Sequence, residues 1–334
     1  MIILKDILYK VAIEVVKGST EMAVNKIEFD SRKIQENDVF VAIRGTVSNG
    51  HDFIEKAINL GATVIVCDTL PEIIVTGITY IQVKDTNSAL AFMASNYYDN
   101  PSEKLHLIGV TGTNGKTTSV TLLYRLFMNL GMPCGLLSTV ENRINQQVIP
   151  STHTTPDPVR LNRLLAMMVE DGCSYCFMEV SSHAVVQHRI TGLVFAGGLF
   201  TNITHDHLDY HKTFDEYIKA KKGFFDMLPA SSFAIYNSDD RNGLVMVQNC
   251  KGKAISFGLR GMADFKCKVI ENSFGGLLLA LDGHELLCRL IGSFNAYNVT
   301  GVYAVAVMLG QDKLSVLTAL SNLESVEGRF QYVV

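Results

Sequence analysis

No run of apolar residues in the sequence approaches the ~20 that a helix needs to cross a bilayer, so no transmembrane helix is indicated. A basic surplus is missing too. Lys and Arg number 29 against 33 Asp and Glu, a formal net charge of -4, and a nucleic-acid partner is not expected. The N-terminus lacks a basic segment followed by an apolar signal core, which leads to the expectation of a cytoplasmic protein with no membrane partner. Seven cysteines, scattered and odd in number, do not make a disulfide framework and read as reduced thiols. Cys173-x-x-Cys176 has no second pair and opens an apolar run rather than a helix, so it reads as core and not as a redox or zinc site. There is no internal repeat and no low-complexity tract. What remains is 334 residues, 48% hydrophobic and 19% charged, which describes a globular chain with a large core, long enough for two domains and expected to act as a monomer.

The pattern of apolar residues divides the chain. Residues 1–100 read as a small α/β unit, with strands at 26–29, 38–43, 62–67 and 80–83 and helices at 50–60 and 87–98. Asn100-Pro101 marks its end. Residues 101–327 read as a central α/β domain with a mostly parallel sheet, because strands and helices alternate from Leu105 to Phe257. Segment 139–157 reads as a polar stretch, with Pro156 in the first turn of the helix that follows. From Ala263 to Arg289, short alternating runs with turns at Gly275-Gly276 and Asp282-Gly283 predict appended antiparallel hairpins. Helices are expected over 292–309 and 313–323, and residues 328–334 read as a linker.

The central domain opens on its most informative stretch, Val110-Thr111-Gly112-Thr113-Asn114-Gly115-Lys116-Thr117-Thr118. An apolar strand precedes it and a helix with one apolar face follows, through Val120, Leu122, Leu123, Leu126 and Phe127. Strand, glycine loop, Lys-Thr and helix cradle phosphate: glycines let amides converge on the anion, the helix N-terminus adds partial positive charge, and Lys116 adds a full one. Thr117 offers a hydroxyl to Mg²⁺. The common loop would have a further glycine where Val110 stands, so Gly112-x-x-Gly115-Lys116-Thr117 is a tighter version of an ATP site.

Other residues gather at strand ends, where ligands sit in parallel sheets. Glu179 ends an apolar strand and reads either as a Mg²⁺ ligand facing the phosphates or as an ion pair or cap. Thr204-His205-Asp206-His207-Leu208-Asp209-Tyr210-His211 packs three histidines and two carboxylates into eight residues without a zinc-finger spacing; at most one or two of these histidines would face a metal. Lys219, Lys221 and Lys222 share a helix and, by pattern alone, read as a solvated basic face.

Taken together, Gly112–Thr118, His153-Thr-Thr-Pro156, Met178-Glu-Val-Ser-Ser-His183, Gln187-His-Arg189 and Thr201–His211 resemble the Mur ligases, and within them the type that adds the third residue of the peptidoglycan stem peptide. Asp30-Ser31-Arg32 and Gly50-His51-x-Phe53-Ile54 extend the likeness across the first unit, which the resemblance makes a UDP-binding domain. The resemblance implies that ATP phosphorylates the terminal carboxylate of UDP-MurNAc-L-Ala-D-Glu and that an amino acid's amine displaces phosphate from the acyl phosphate. It implies that Lys116 and the amides of Gly112, Thr113, Asn114, Gly115, Thr117 and Thr118 bind the ATP phosphates, with Asn295 and Asn298 flanking adenine. Thr117 and Glu179 would hold one Mg²⁺ and His207 a second. Lys221 matches a lysine carbamoylated by CO₂, which turns a cation into an anionic metal ligand. Phe29, Ser31, Thr46, Val47 and Ser48 would take the UDP end, and His153, Thr154, Thr155, Ser181, Gln187 and Arg189 the sugar-peptide, with His153 a mild departure from an asparagine.

The resemblance also implies a third, C-terminal domain for the incoming amino acid, and the chain reads as a truncated form that binds ATP and the UDP-substrate without completing ligation. Three alternatives stand beside this reading. Folylpolyglutamate synthetase is disfavoured by Asp30-Ser31-Arg32, and the D-Ala-D-Ala-adding Mur ligase by the Ser181-Ser182-His183 and Gln187-His188-Arg189 set. A non-catalytic nucleotide-binding module is disfavoured by the joint presence of Glu179, His207 and Lys221.

Overall fold

In a computed structural model of the chain the described residues are 2–45, 48–204 and 213–323. They form two units: Met1–Pro101 with Pro156–Ala166 and Gln187–Leu193, and a second holding the rest of the described chain.

The first unit is built on a five-stranded sheet of order β2 (Ile13–Lys17), β7 (Thr79–Val83), β6 (Val64–Cys67), β5 (Val39–Val41) and β4 (Ile27–Glu28). Its neighbours from β7 to β4 run parallel, and β2 is an antiparallel edge. β1 (Ile2–Ile3) and β3 (Ala23–Val24) pair separately. Alternation along the inner strands sends Val39, Val41, Val64 and Val66 to one face, and Phe40, Ile65 and Tyr80 to the other. After β4, Asp30 caps a short turn at Ser31–Lys33: its Oδ1 accepts the Arg32 amide at 3.1 Å and the Arg32 Nε at 2.9 Å. The Arg32 guanidinium holds the Asp30 carboxyl down at about 2. Because the folded value lies below the ordinary one, this contribution to stability is complete above about pH 4. It is lost as pH falls through about 2. Asp30→Asn is therefore expected to cost up to about 1 kcal/mol at pH 7 in denaturant titrations, with the gap to wild type closing as pH is lowered.

Among the described residues the second unit has one eleven-stranded sheet, ordered β11 (Gln147–Pro150), β10 (Glu141–Ile144), β9 (Cys134–Leu137), β12 (Tyr175–Glu179), β8 (His106–Thr111), β13 (Gly197–Phe200), β14 (Phe233–Asn237), β15 (Lys253–Gly258), β16 (Phe265–Ser273), β17 (Gly276–Leu281) and β18 (His284–Cys288). From β9 to β16 all neighbours are parallel; β16–β17–β18 and β9–β10–β11 are antiparallel. The expected class, parallel α/β with appended hairpins, is the one observed. Two local readings are corrected. Segment 139–150 is not an irregular polar stretch but holds the β10–β11 hairpin, whose turn residue Asn145 takes φ +47°. As a half-exposed edge it carries little apolar signal. The helix expected to open at Pro156 opens at Pro158, because the Asp157 carboxylate accepts the Arg160 amide at 3.0 Å and so caps it, leaving the donor-less proline in first position.

Helix Lys116–Asn129 buries Val120, Leu122, Leu123, Leu126 and Phe127, and helix Phe294–Met308 buries Val299, Val302 and Val305 in the same core. Each such side chain contributes roughly 1.5–3 kcal/mol. A third helix, Phe214–Asp226, seats Phe224 on two glycines paired across β8 and β13. A Cβ on Gly109 would come within 2.4 Å of the Phe224 ring, and one on Gly198 within 2.8 Å. That close approach carries Lys221, one turn earlier, to the glycine loop at the end of β8.

Candidate active site

The loop after β8 owes its shape to two glycines, Gly112 at φ +151° and Gly115 at φ +86°. A Cβ would meet Thr201 Oγ1 at 2.0 Å in the first case and Asn298 Oδ1 at 2.5 Å in the second, so neither position accepts a side chain. The helix begins at Lys116, with Thr117 and Thr118 buried in its first turn. Its first amides have no acceptor within the helix and point to where an anion would sit. Lys116 Nζ donates to Gly112 O and Thr113 O, both at 2.9 Å.

One expectation is narrowed here. The amides of Thr113 and Asn114 do not face outward: Thr113 N donates to Asn202 O at 2.7 Å and Asn114 N to Asn202 Oδ1 at 3.0 Å. Thr201 Oγ1 reaches Asn114 O at 2.6 Å, and Thr204 N donates to Thr113 Oγ1 at 3.0 Å. These two residues anchor the loop to the end of β13, so the amides that an anion would meet begin at Gly115. Asn298, whose Nδ2 donates to Asn295 Oδ1 at 2.9 Å, backs the loop at Gly115 from helix Phe294–Met308.

Lys221 is not on a solvated face. It is 1% exposed; its Nζ donates to Gly112 O at 2.8 Å and lies 4.5 Å from the centre of the Tyr217 ring. Tyr217, Ala220, Lys221, Phe224 and Phe225 form the buried stripe of their helix, whereas Lys219 is exposed and Lys222 pairs with Asp226. Two ammonium groups, Lys116 and Lys221, thus donate to one carbonyl oxygen. The Tyr217 hydroxyl sits 3.3 Å from Thr113 Oγ1 and ties this helix to the loop a second time.

Glu179 ends β12 in register with Val110 of β8 and is 1% exposed. Its Oε1 accepts the Thr139 amide at 2.8 Å. A carboxylate this deep costs several kcal/mol unless paired, and one amide offsets only part of that. The donor chemistry, a buried carboxylate and the Thr117 hydroxyl, suits a hard cation such as Mg²⁺, which takes one or two carboxylates and fills its remaining positions with phosphate and water. Among the described residues no group of three or more His, Cys, Asp or Glu could hold a metal by itself.

Several substrate candidates gather beside Glu179. Thr155 Oγ1 donates to Glu179 O at 2.8 Å, Ser181 N to Thr155 Oγ1 at 3.2 Å, and Thr139 Oγ1 to Thr154 Oγ1 at 3.0 Å. His153 is exposed, with Nδ1 3.1 Å from Thr152 Oγ1. In the first unit, Arg189 donates through Nε and Nη2 to Gln187 Oε1 at 3.0 and 2.7 Å, and His188 between them holds φ +57°. Phe29 is 38% exposed, Ser31 is buried in the Asp30-capped turn, and Ser48 O accepts the Gly45 amide at 2.9 Å. His207, Thr46 and Val47 lie outside the described residues. Sequence reasoning assigned no role to Thr139, Asn202 or Tyr217; their signal is a polar residue at a strand end or one helical turn before a functional one. Cys173 and Cys176 are core, as expected, and burial pushes both thiols up.

Family models match in two places: the Mur ligase middle domain over residues 110–306, and the Mur ligase family catalytic domain over residues 23–98. A Cytophaga hutchinsonii protein named UDP-N-acetylmuramoyl-L-alanyl-D-glutamate--2,6-diaminopimelate ligase is 59% identical over 329 residues, which is 98% of this chain and 68% of that protein. A solved structure with the same ligase name superposes with a TM-score of 0.87 at 23% identity, covering 100% of this chain and 69% of that one. The crystal structure of a MurF ligase from Thermotoga maritima in complex with ADP has a TM-score of 0.62 at 20% identity, over 92% of this chain and 68% of that one.

Proposed function

The chain belongs to the Mur ligase family, and from that premise we propose that it is an ATP-dependent amide ligase of peptidoglycan precursor synthesis that adds diaminopimelate to UDP-MurNAc-L-Ala-D-Glu. The observation that carries the reading is the convergence of Lys116, Lys221 and the helix N-terminus on one glycine loop, in a chain that is 59% identical to a ligase so named.

In this reading the γ-phosphoryl group of ATP passes to the terminal carboxylate of the substrate, giving an acyl phosphate and ADP. The amine of diaminopimelate then attacks the carbonyl carbon, and phosphate leaves as the amide forms. Anions crowd the site at every stage, so the chain's task is to place positive charge and donors where negative charge develops. The amides of Gly115 to Thr118 and the Lys116 ammonium hold the phosphates. Mg²⁺, held by Thr117 and Glu179, would neutralise them, and His207 would hold a second ion. Thr154, Thr155, Ser181, Gln187 and Arg189 orient the sugar-peptide, with His153 at its margin. Phe29, Ser31, Thr46, Val47 and Ser48 take the UDP end in the domain of residues 1–100, and Asn295 and Asn298 border the adenine side of the loop. A carbamate on Lys221, formed when CO₂ adds to the neutral amine and a proton is lost, would remove the second ammonium from Gly112 O and would offer an anionic oxygen to a metal ion. The protein acts in the cytoplasm as a monomer. Among the described residues no helix is long and apolar enough to cross a membrane.

Calorimetry tests the substrate assignment. The chain is expected to bind UDP-MurNAc-L-Ala-D-Glu in preference to other UDP-muramyl peptides and to folates. Arg189→Ala should weaken binding by about 1.5–3 kcal/mol if the guanidinium meets a substrate carboxylate. Folded protein that gives no heat with the UDP-dipeptide, or that prefers a folate, would refute it.

A further inference from the structure

We propose that Asp240 is a positioning residue for the phosphate loop, acting through the segment Thr201–Thr204 at the end of β13. The proposal rests on the reading of Gly112–Thr118 as an ATP site.

β13 and β14 run parallel and pair as far as Phe200 with Tyr236. Beyond that point β14 no longer supplies a backbone partner; the Thr201 amide still donates to Thr111 O of β8 at 3.0 Å, and on the β14 side the chain is held by side chains. The turn after β14 provides them. Asn237, buried, donates from Nδ2 to Thr201 O at 2.9 Å. Asp240 divides its carboxylate: Oδ1 accepts the Asn242 amide at 2.8 Å, within its own turn, and Oδ2 accepts the Ile203 amide at 2.8 Å. Thr201–Thr204 is therefore gripped on one side by Asn237 and Asp240. On its other side three of the four residues hold Thr113 and Asn114, through the Asn202 carbonyl and side chain, Thr201 Oγ1 and the Thr204 amide. At Thr113 and Asn114 the loop is positioned by this segment, and at Ile203 the segment is positioned by Asp240.

This assigns a consequence to one carboxylate and not to others like it. Asp264 makes a comparable set of bonds, accepting Ser256 N at 2.8 Å and Ser256 Oγ at 2.7 Å, but these join β15 to the chain entering β16 and reach no part of the loop or of Thr201–Thr204. Loss of Asp264 should loosen the sheet alone. Loss of Asp240 orphans the Ile203 amide and frees the segment that orients the glycine turn.

The test measures Mg·ADP and UDP-MurNAc-L-Ala-D-Glu binding by calorimetry, with melting temperatures, for wild type, Asp240→Ala, Asp240→Asn and Asp264→Ala. Asp240→Ala is expected to weaken Mg·ADP binding about tenfold and to leave the UDP-dipeptide affinity unchanged. Asp240→Asn keeps one acceptor oxygen where the carboxylate offered two, enough for the Ile203 or the Asn242 amide but not both, and should recover part of the loss. Asp264→Ala should lower the melting temperature without moving nucleotide affinity. Wild-type chain that ignores Mg·ADP would overturn the ATP reading and this proposal with it. Wild type that binds, beside an Asp240→Ala that binds equally well or loses no more than Asp264→Ala does, would overturn the proposal alone.

Discussion

In a ligase extended by the C-terminal domain that the resemblance implies, replacing Lys221 by Ala is expected to lower the rate of amide formation by on the order of 10²–10³-fold, comparable to removing one preorganised donor that stabilises developing negative charge. The residue is 1% exposed and reaches the same carbonyl oxygen as Lys116. Two like charges this close oppose one another, the more so because one of them, Lys221, is buried. Conversion of one amine to a carbamate would relieve that opposition and would offer an oxygen ligand to Mg²⁺. Two further results should accompany the loss of rate. Native mass spectra of the wild type should show a gain of one CO₂ that is absent from the variant. Short carboxylic acids added to Lys221→Ala should restore part of the activity by placing an oxygen anion in the vacated space. A variant that keeps its rate would make Lys221 a structural lysine that does no more than hold Gly112 O.

Gly112→Ala should abolish measurable nucleotide binding and cost about 2–4 kcal/mol of stability. The backbone there has φ +151°, and the added Cβ would meet Thr201 Oγ1 at 2.0 Å and Asn202 O at 2.9 Å. Those neighbours cannot retreat cheaply, because both already hold the loop through Asn114 and Thr113. Any shift of Gly112 also moves the oxygen shared by Lys116 and Lys221. Gly131 provides the comparison. It too has positive φ, +76°, but nothing lies within 4 Å of its missing Cβ. Gly131→Ala should therefore cost only about 1 kcal/mol and leave nucleotide affinity intact. Equal effects of the two substitutions would mean that backbone strain, and not the packing of the loop on β13, sets its shape.

The alternation of strands and helices, the glycine loop and the appended hairpins were all legible in the chain, because each depends on a periodicity or turn chemistry spanning a few residues. The β10–β11 hairpin was not. Its strands are short and half exposed, and it is stabilised by pairing with β9 rather than by a pattern of its own. Pro156 and Pro158 compete for the same helix start, and the carboxylate of Asp157, which lies between them, decides by capping the Arg160 amide.

The candidate site divides along the same line. Sequence by itself determined a strand, glycine turn and helix opened by Lys116 and Thr117, and the resemblance named the residues expected to act with them. Tertiary structure alone decided that Lys221 is buried while Lys219 is exposed and Lys222 is paired with Asp226. That choice is made by Phe224 packing onto Gly109 and Gly198, residues distant in the chain from the helix. It also decided that Thr113 and Asn114 spend their amides on Asn202 instead of an anion. The physical reason is range: periodicity and turn preference act over a few residues and are written locally, whereas burial of a charge and the partner of an amide depend on which strand ends meet.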